Sequence, residues 1–220
     1  MSVFVTVLAG RRPEYLRRTL EAFEPVLRSA TGLQTEVLCW VNGADAPSLE
    51  VARERPWVSR VEAQARFLPI GKNVSRLAAL ARESHRSFWL HLEDDWTATG
   101  NPGWLSDACD VLAREPQVGQ LRLRCADEPV SKSNLVSHRM IRWSPRPIFK
   151  KAGCLSYRTA RAHVTYNPSI QRCLEAHEWM IASSEPEAMR RFHRTKLLAA
   201  QVYPGVFRHI GEQSLRRDAR

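Results

Sequence analysis

The sequence lacks any apolar run able to cross a bilayer. Its longest uncharged hydrophobic stretches break within about eight positions, where a spanning helix needs roughly 18. An integral membrane protein is therefore excluded. Cysteine is sparse and scattered: Cys39, Cys109, Cys125, Cys154 and Cys173 form no CxxC pair. That argues against a zinc knuckle or a disulfide-stapled scaffold and for a reduced, cytoplasmic setting. No basic residue precedes the apolar Val3 to Leu8, and Arg11-Arg12-Pro13-Glu14 follow it, the reverse of a secretory leader. No internal repeat is present.

Familiar nucleotide motifs are also missing. No GxGxxG follows the first apolar run, so a nicotinamide enzyme has no support. Gly71-Lys72-Asn73 has Arg66 where a phosphate-binding loop needs its first Gly and Asn73 where it needs Ser or Thr. His177-Glu178 lacks the second histidine of a metalloprotease helix. Carboxylates are absent over one long stretch, from Glu128 to Glu175, which holds Lys132, Arg139, Arg142, Arg146, Lys150, Lys151, Arg158, Arg161 and Arg172. Residues 1–138 carry 17 basic and 17 acidic residues, so the net charge of +10 comes from the last third. Such a segment, interleaved with Trp143, Phe149, Tyr157 and Tyr166, suits a polyanion, and a solvated basic face gives the same count.

What is present is enough for one ordinary core: 220 residues, 44% hydrophobic and 25% charged. Residues 2–8 read as a buried strand, and Leu16, Leu20, Phe23 and Leu27 recur at helical spacing behind Gly10 and Pro13. A second strand at 36–41 ends in Asn42-Gly43, a strong turn pair. A third is expected within 58–68, then a helix carrying Val74, Leu77 and Leu80, then a fourth strand at 87–92. Trp104 to Ala113 reads as helix and Val118 to Cys125 as strand; 185–195 is expected helical and 197–202 a last strand. This alternation predicts an α/β domain whose mostly parallel central sheet is flanked by helices, with ligands at the strands' carboxyl ends.

The fourth strand runs into Glu93-Asp94-Asp95-Trp96. Adjacent ionised carboxylates repel by roughly 1–4 kcal/mol at surface-like dielectric, and a divalent cation would offset that. If the chain stays extended there, Glu93 and Asp95 face one side and Asp94 the other. Hard oxygen ligands in this pattern suit Mg²⁺ or Mn²⁺ shared with a phosphorylated ligand. An acidic turn ahead of a helix is the bland reading.

Val3 to Leu20 (VFVTVLAGRRPEYLRRTL), EVLCWVNGAD at 36–45, IGKNVSRLAAL at 70–80 and LHLEDDW at 90–96 resemble the successive blocks of a GT-A nucleotide-sugar glycosyltransferase of the family-2-like kind. Asn167-Pro168-Ser169, Ser184-Glu185-Pro186-Glu187 and the run from Val202 to Gly211 are similar to late blocks of that family. The resemblance implies a single GT-A-like (Rossmann-like) domain, with 1–125 as the donor-binding half and 126–220 as a basic acceptor-binding half. It assigns nucleoside contacts to Ala9, Gly10, Arg11 and Asn42, and Lys72 to the diphosphate or base. Asp95, with Glu93 or Asp94, would hold the metal; His209 would be a late imidazole ligand, and Glu185 or Glu187 the general base. It departs from the family at Val41, where many relatives have Asp, at the leading Glu93 of the triplet, and at Pro186, which interrupts the usual Glu-Asp pair.

The implied activity is metal-dependent, inverting transfer of a sugar from a nucleotide sugar, a UDP-sugar foremost, to a hydroxyl. The basic segment favours a nucleic-acid acceptor, such as a hydroxymethylated base in DNA, with Arg139, Arg142, Arg146, Lys150 and Lys151 as contacts. A protein, saccharide or natural-product acceptor is the alternative, as is a nucleic-acid-binding protein with a decayed transferase fold.

Overall fold

A computed structural model describes residues 1–125, 150–160 and 164–211. Residues 3–9 are all buried, as a strand covered on both faces requires, and they form the centre of β1 (Ser2–Ala9). The chain then alternates as the sequence predicts: α1 (Pro13–Ser29), β2 (Gln34–Asn42), α2 (Ala46–Arg53), β3 (Arg60–Gln64), α3 (Ile70–Glu83), β4 (Phe88–Glu93). A short β5 (Trp96–Ala98), α4 (Trp104–Arg114) and β6 (Val118–Arg122) follow. The later part adds β7 (Lys150–Ala152), β8 (Leu155–Ala160), β9 (Ser169–Arg172), α5 (Cys173–Met180), α6 (Glu185–Arg194), β10 (Leu198–Tyr203) and β11 (Phe207–His209).

Nine strands make one sheet in the order β3-β2-β1-β4-β9-β6-β10-β8-β7, in which β9 and β8 run against the rest. Both halves of the sequence build this sheet, because β9 inserts between β4 and β6. Alternate residues of β1 feed two cores. Val3, Val5 and Val7 meet Leu16, Leu20 and Phe23 of α1 and Trp104 and Leu105 of α4. Phe4 and Leu8 meet Val74 and Leu77 of α3, Trp179 of α5 and Phe192 of α6. Each such side chain contributes about 1.5–3 kcal/mol by leaving water. The result is three layers, α1, α2 and α4 on one face and α3, α5 and α6 on the other.

The chain runs outward from β1 through β2 to β3, then returns to β1's other side at β4. Strand order therefore reverses between β1 and β4. The carboxyl ends beside such a reversal are the standing ligand position, the crevice, of open α/β sheets. Gly10 to Arg12 leave β1 there, and Glu93 to Asp95 leave β4 beside them, with Leu8 paired to Glu93.

Candidate active site

At this crevice the strand ends at Glu93, so the two-residue alternation expected for the acidic triplet does not extend through it. Asp94 and Asp95 lie in a turn and face the same cation. The Arg12 guanidinium donates to Asp94 Oδ1 and pairs with Asp95 Oδ2 at 2.8 Å. Asp94 is 1% exposed and is tied down throughout. Its Oδ2 accepts from the Gly10 N–H at 2.7 Å, its own N–H donates to Leu8 O at 3.0 Å, and its carbonyl accepts from the Thr19 hydroxyl at 2.7 Å. Asp94 therefore fixes the exit of β1. Burial pushes its carboxyl up to about 6, with Arg12 acting in the opposite direction.

Asp95 is positioned differently. Its Oδ2 meets both Arg12 and, at 3.2 Å, the His209 Nε2. Its Oδ1 is buried and has no hydrogen-bond partner. Burial alone would raise this carboxyl; the His209 and Arg12 contacts outweigh burial and hold it below its ordinary value. His209 arrives on a two-stranded ribbon in which β11 pairs antiparallel with β5, His209 opposite Trp96, and the Ile210 N–H donates to Asp95 O at 2.8 Å. The Trp96 ring lies 5.0 Å from the imidazole, and the Arg124 guanidinium covers that indole at 5.7 Å. Gly211 makes the approach possible: a Cβ there would stand 2.7 Å from Asp95 Oδ2.

Glu93 is half-buried, and its N–H donates to Asn167 Oδ1 at 3.3 Å. Burial first, then Asp95, Asp94 and Glu185, push its carboxyl well above the usual range. Glu185 begins α6, is exposed, and accepts the Tyr166 N–H at 3.0 Å. Glu187, two residues on, accepts the Ser183 N–H at 2.9 Å and its hydroxyl at 2.6 Å, and pairs with Arg191. These hydrogen bonds hold Glu187 down at about 2.

The remaining expected residues are dispersed around this centre. Ala9 and Gly10 are buried, and Gly10 O accepts from the Ser48 hydroxyl. Arg11 is exposed, its guanidinium 5.6 Å from the Phe67 ring centre. The Asn42 side-chain amide is taken up at both ends by Leu68, donating to its carbonyl at 2.9 Å and accepting its N–H at 2.8 Å, which pins the loop before α3. Lys72 is exposed in the first turn of α3. Lys150 and Lys151 lie on β7 at the far edge of the sheet, and Lys150 pairs with Glu115 at 2.6 Å. Arg139, Arg142 and Arg146 lie outside the described residues. Sequence reasoning gave no role to Arg12 or Tyr166, and quoted Asn167 and Gly211 only as members of late family blocks. Two adjacent arginines before the Pro13 that opens α1 were the one available signal for Arg12.

The fold has clear relatives among solved structures. S. aureus TarS 1–349 in complex with UDP-GlcNAc superposes with a TM-score of 0.61 at 14% identity, over 100% of this chain and 61% of that one. CMP:2-keto-3-deoxy-manno-octonic acid synthetase complexed with CTP gives 0.55 at 10% identity, over 94% and 93%. The chain has a GT-A-like fold. At these identities the GT-A likeness is one of fold, and the chain spans only about 61% of the TarS fragment's length. No protein-family model matches the sequence, and no curated protein does.

Proposed function

We propose that the protein is a glycosyltransferase that moves a sugar from a nucleotide sugar, a UDP-sugar foremost, to a hydroxyl acceptor. One observation carries the reading: at the strand-order reversal of a GT-A-like sheet, Asp95 keeps a buried Oδ1 without a hydrogen-bond partner while its Oδ2 meets the His209 imidazole. Among the described residues no group of three or more His, Cys, Asp or Glu side chains forms a ready-made metal cage. That fits a cation shared with a ligand, since Mg²⁺ and Mn²⁺ commonly take one or two protein groups and fill the rest with phosphate oxygens and water. Asp95 and His209 would hold it, with Glu93 adjacent. When bound, the cation supplies positive charge opposite the diphosphate leaving group.

Arg12 keeps Asp95 oriented and neutralises Asp94, so the loop after β1 stays closed against the donor. Lys72 and Arg11 supply further positive charge at the crevice rim, and Phe67 beside Arg11 offers the nucleoside a flat face. Glu185, exposed and anchored through the Tyr166 N–H, takes the proton from the attacking hydroxyl. Glu187 is a poor base because Ser183 and Arg191 stabilise its charged form. Direct displacement by that hydroxyl inverts the anomeric carbon. The acceptor reading supported by charge is a nucleic acid, for which activity would fall steeply with salt, by about 0.9 log unit per log unit of salt for each phosphate neutralised.

The test is nucleoside-diphosphate release from a panel of nucleotide sugars with Mn²⁺, with and without hydroxyl acceptors. Release from a UDP-sugar is expected, reduced about 10²–10⁴-fold in Glu185→Gln. Absence of release and of nucleotide binding across the panel would overturn the proposal.

A further inference from the structure

Arg122 ends β6 at its carboxyl end, on the same strand face as Gln120 two residues earlier. It is 7% exposed, its Nε has no acceptor, and no described carboxylate pairs with it. Leaving a guanidinium buried without a counter-charge costs stability, and folds seldom retain one without use. Its surroundings are built rather than accidental. The Gln120 side chain holds Thr165 by both of that residue's backbone groups, at 2.9 and 3.0 Å, and Gln171 at 2.8 Å. The next residue, Tyr166, donates its N–H to Glu185. The unpaired cation therefore lies beside the turn that holds the proposed base. The charges acting on it are Arg124 and Glu185, and burial together with Arg124 lowers its pKa to about 10. Arg122 itself is buried with no carboxylate in hydrogen-bonding contact among the described residues, and Glu185 acts on it only through space.

We infer that Arg122, supported by Arg124, is an oxyanion subsite beside Glu185, and that the acceptor carries a phosphate or carboxylate group that docks on its guanidinium. This rests on the transferase reading above. The donor's phosphates belong elsewhere, because β9 separates β6 from β4 and its acidic end. Two strand spacings, about 10 Å, lie between them. An acceptor with its hydroxyl at Glu185 and its anion on Arg122 fits that division, and the guanidinium fork suits either oxyanion bidentately.

The test uses the whole chain labelled with ¹⁵N-arginine, titrated separately with inorganic phosphate and with malonate while the Arg122 Nε–H resonance is followed. UDP binding is measured by calorimetry in parallel. Saturable movement of Arg122 with phosphate marks a phosphate-bearing acceptor, and movement with malonate a carboxylate-bearing one. Arg122→Met should weaken anion binding at least about tenfold, leave UDP affinity within twofold, and raise the melting temperature, because it removes an uncompensated buried charge. Arg122→Lys should bind the anion at intermediate strength. No response of Arg122 to either anion, a lower melting temperature for Arg122→Met, or a loss of UDP affinity equal to the loss of anion affinity would overturn the inference. A wild-type chain that binds no nucleotide yet keeps the Arg122 response would overturn the transferase reading and leave the oxyanion subsite standing.

Discussion

Arg12 shows how much one side chain determines here. It is the shared counter-charge of two buried carboxylates, so Arg12→Met should cost about 3–5 kcal/mol in urea denaturation at pH 7. The Asp94 share of that loss should shrink as pH falls towards about 6, because Asp94 without the opposing pull of Arg12 takes up its proton above that value and no longer needs a partner. An Arg12→Met loss that stays constant from pH 7.5 to 5 would show that the guanidinium acts through packing alone. The carboxylates of the site were legible in the sequence because three in succession after an apolar run are costly without a cation. Arg12 was not, because that same cost reads as a demand for an external ion. Arg122 was not legible either: a basic residue at a strand end looks like surface until its neighbours bury it.

Single elements set the geometry between these residues. Gly71 in α3 lies so close to the Ser183–Ser184 backbone that a Cβ would stand 2.1 Å from the Ser183 carbonyl oxygen. Gly71→Ala should therefore displace the segment leading into Glu185, costing about 1–3 kcal/mol of stability and lowering the rate of UDP release. On the proposed reading the two carboxylates at the start of α6 have different roles, Glu185 held by the Tyr166 N–H and Glu187 by Ser183 and Arg191. Glu187→Gln should lower the melting temperature while keeping most activity, the reverse of Glu185→Gln, and equal activity losses in the two would contradict that division. Within β4, His91 is fully buried, its Nδ1 2.8 Å from the Thr6 hydroxyl, and burial lowers its pKa to about 3. The unfolded chain takes up this proton near pH 6.5, so stability is full above that value and falls as pH drops towards 3, by about 1.4 kcal/mol per unit. His91→Gln should flatten that acid limb in denaturation curves.

At the scale of the whole molecule, the first 125 residues were readable because each buried strand is a nearly continuous apolar run ending at a turn. Strand β9 was not: Ser169-Ile170-Gln171-Arg172 carries much of its burial on polar side chains, with Gln171 Oε1 accepting from Gln120 and Ser169, which leaves no hydrophobic period to detect. The β5–β11 ribbon was missed as a pairing, since three-residue strands distant in sequence leave no local trace. Yet that pairing delivers His209 to Asp95. The Asp95–His209 contact on which the proposed metal site relies therefore depends on a connection that the sequence does not display. No helix among the described residues is long and apolar enough to cross a membrane, in keeping with the broken apolar runs of the sequence. The measurement that bears most directly on the account is calorimetric titration of UDP into the wild-type chain and Asp95→Asn, each with Mn²⁺ and with EDTA. The account predicts that Mn²⁺ tightens UDP binding at least about tenfold in the wild type and leaves Asp95→Asn unaffected. Equal UDP affinity with and without Mn²⁺, undisturbed by Asp95→Asn, would contradict it.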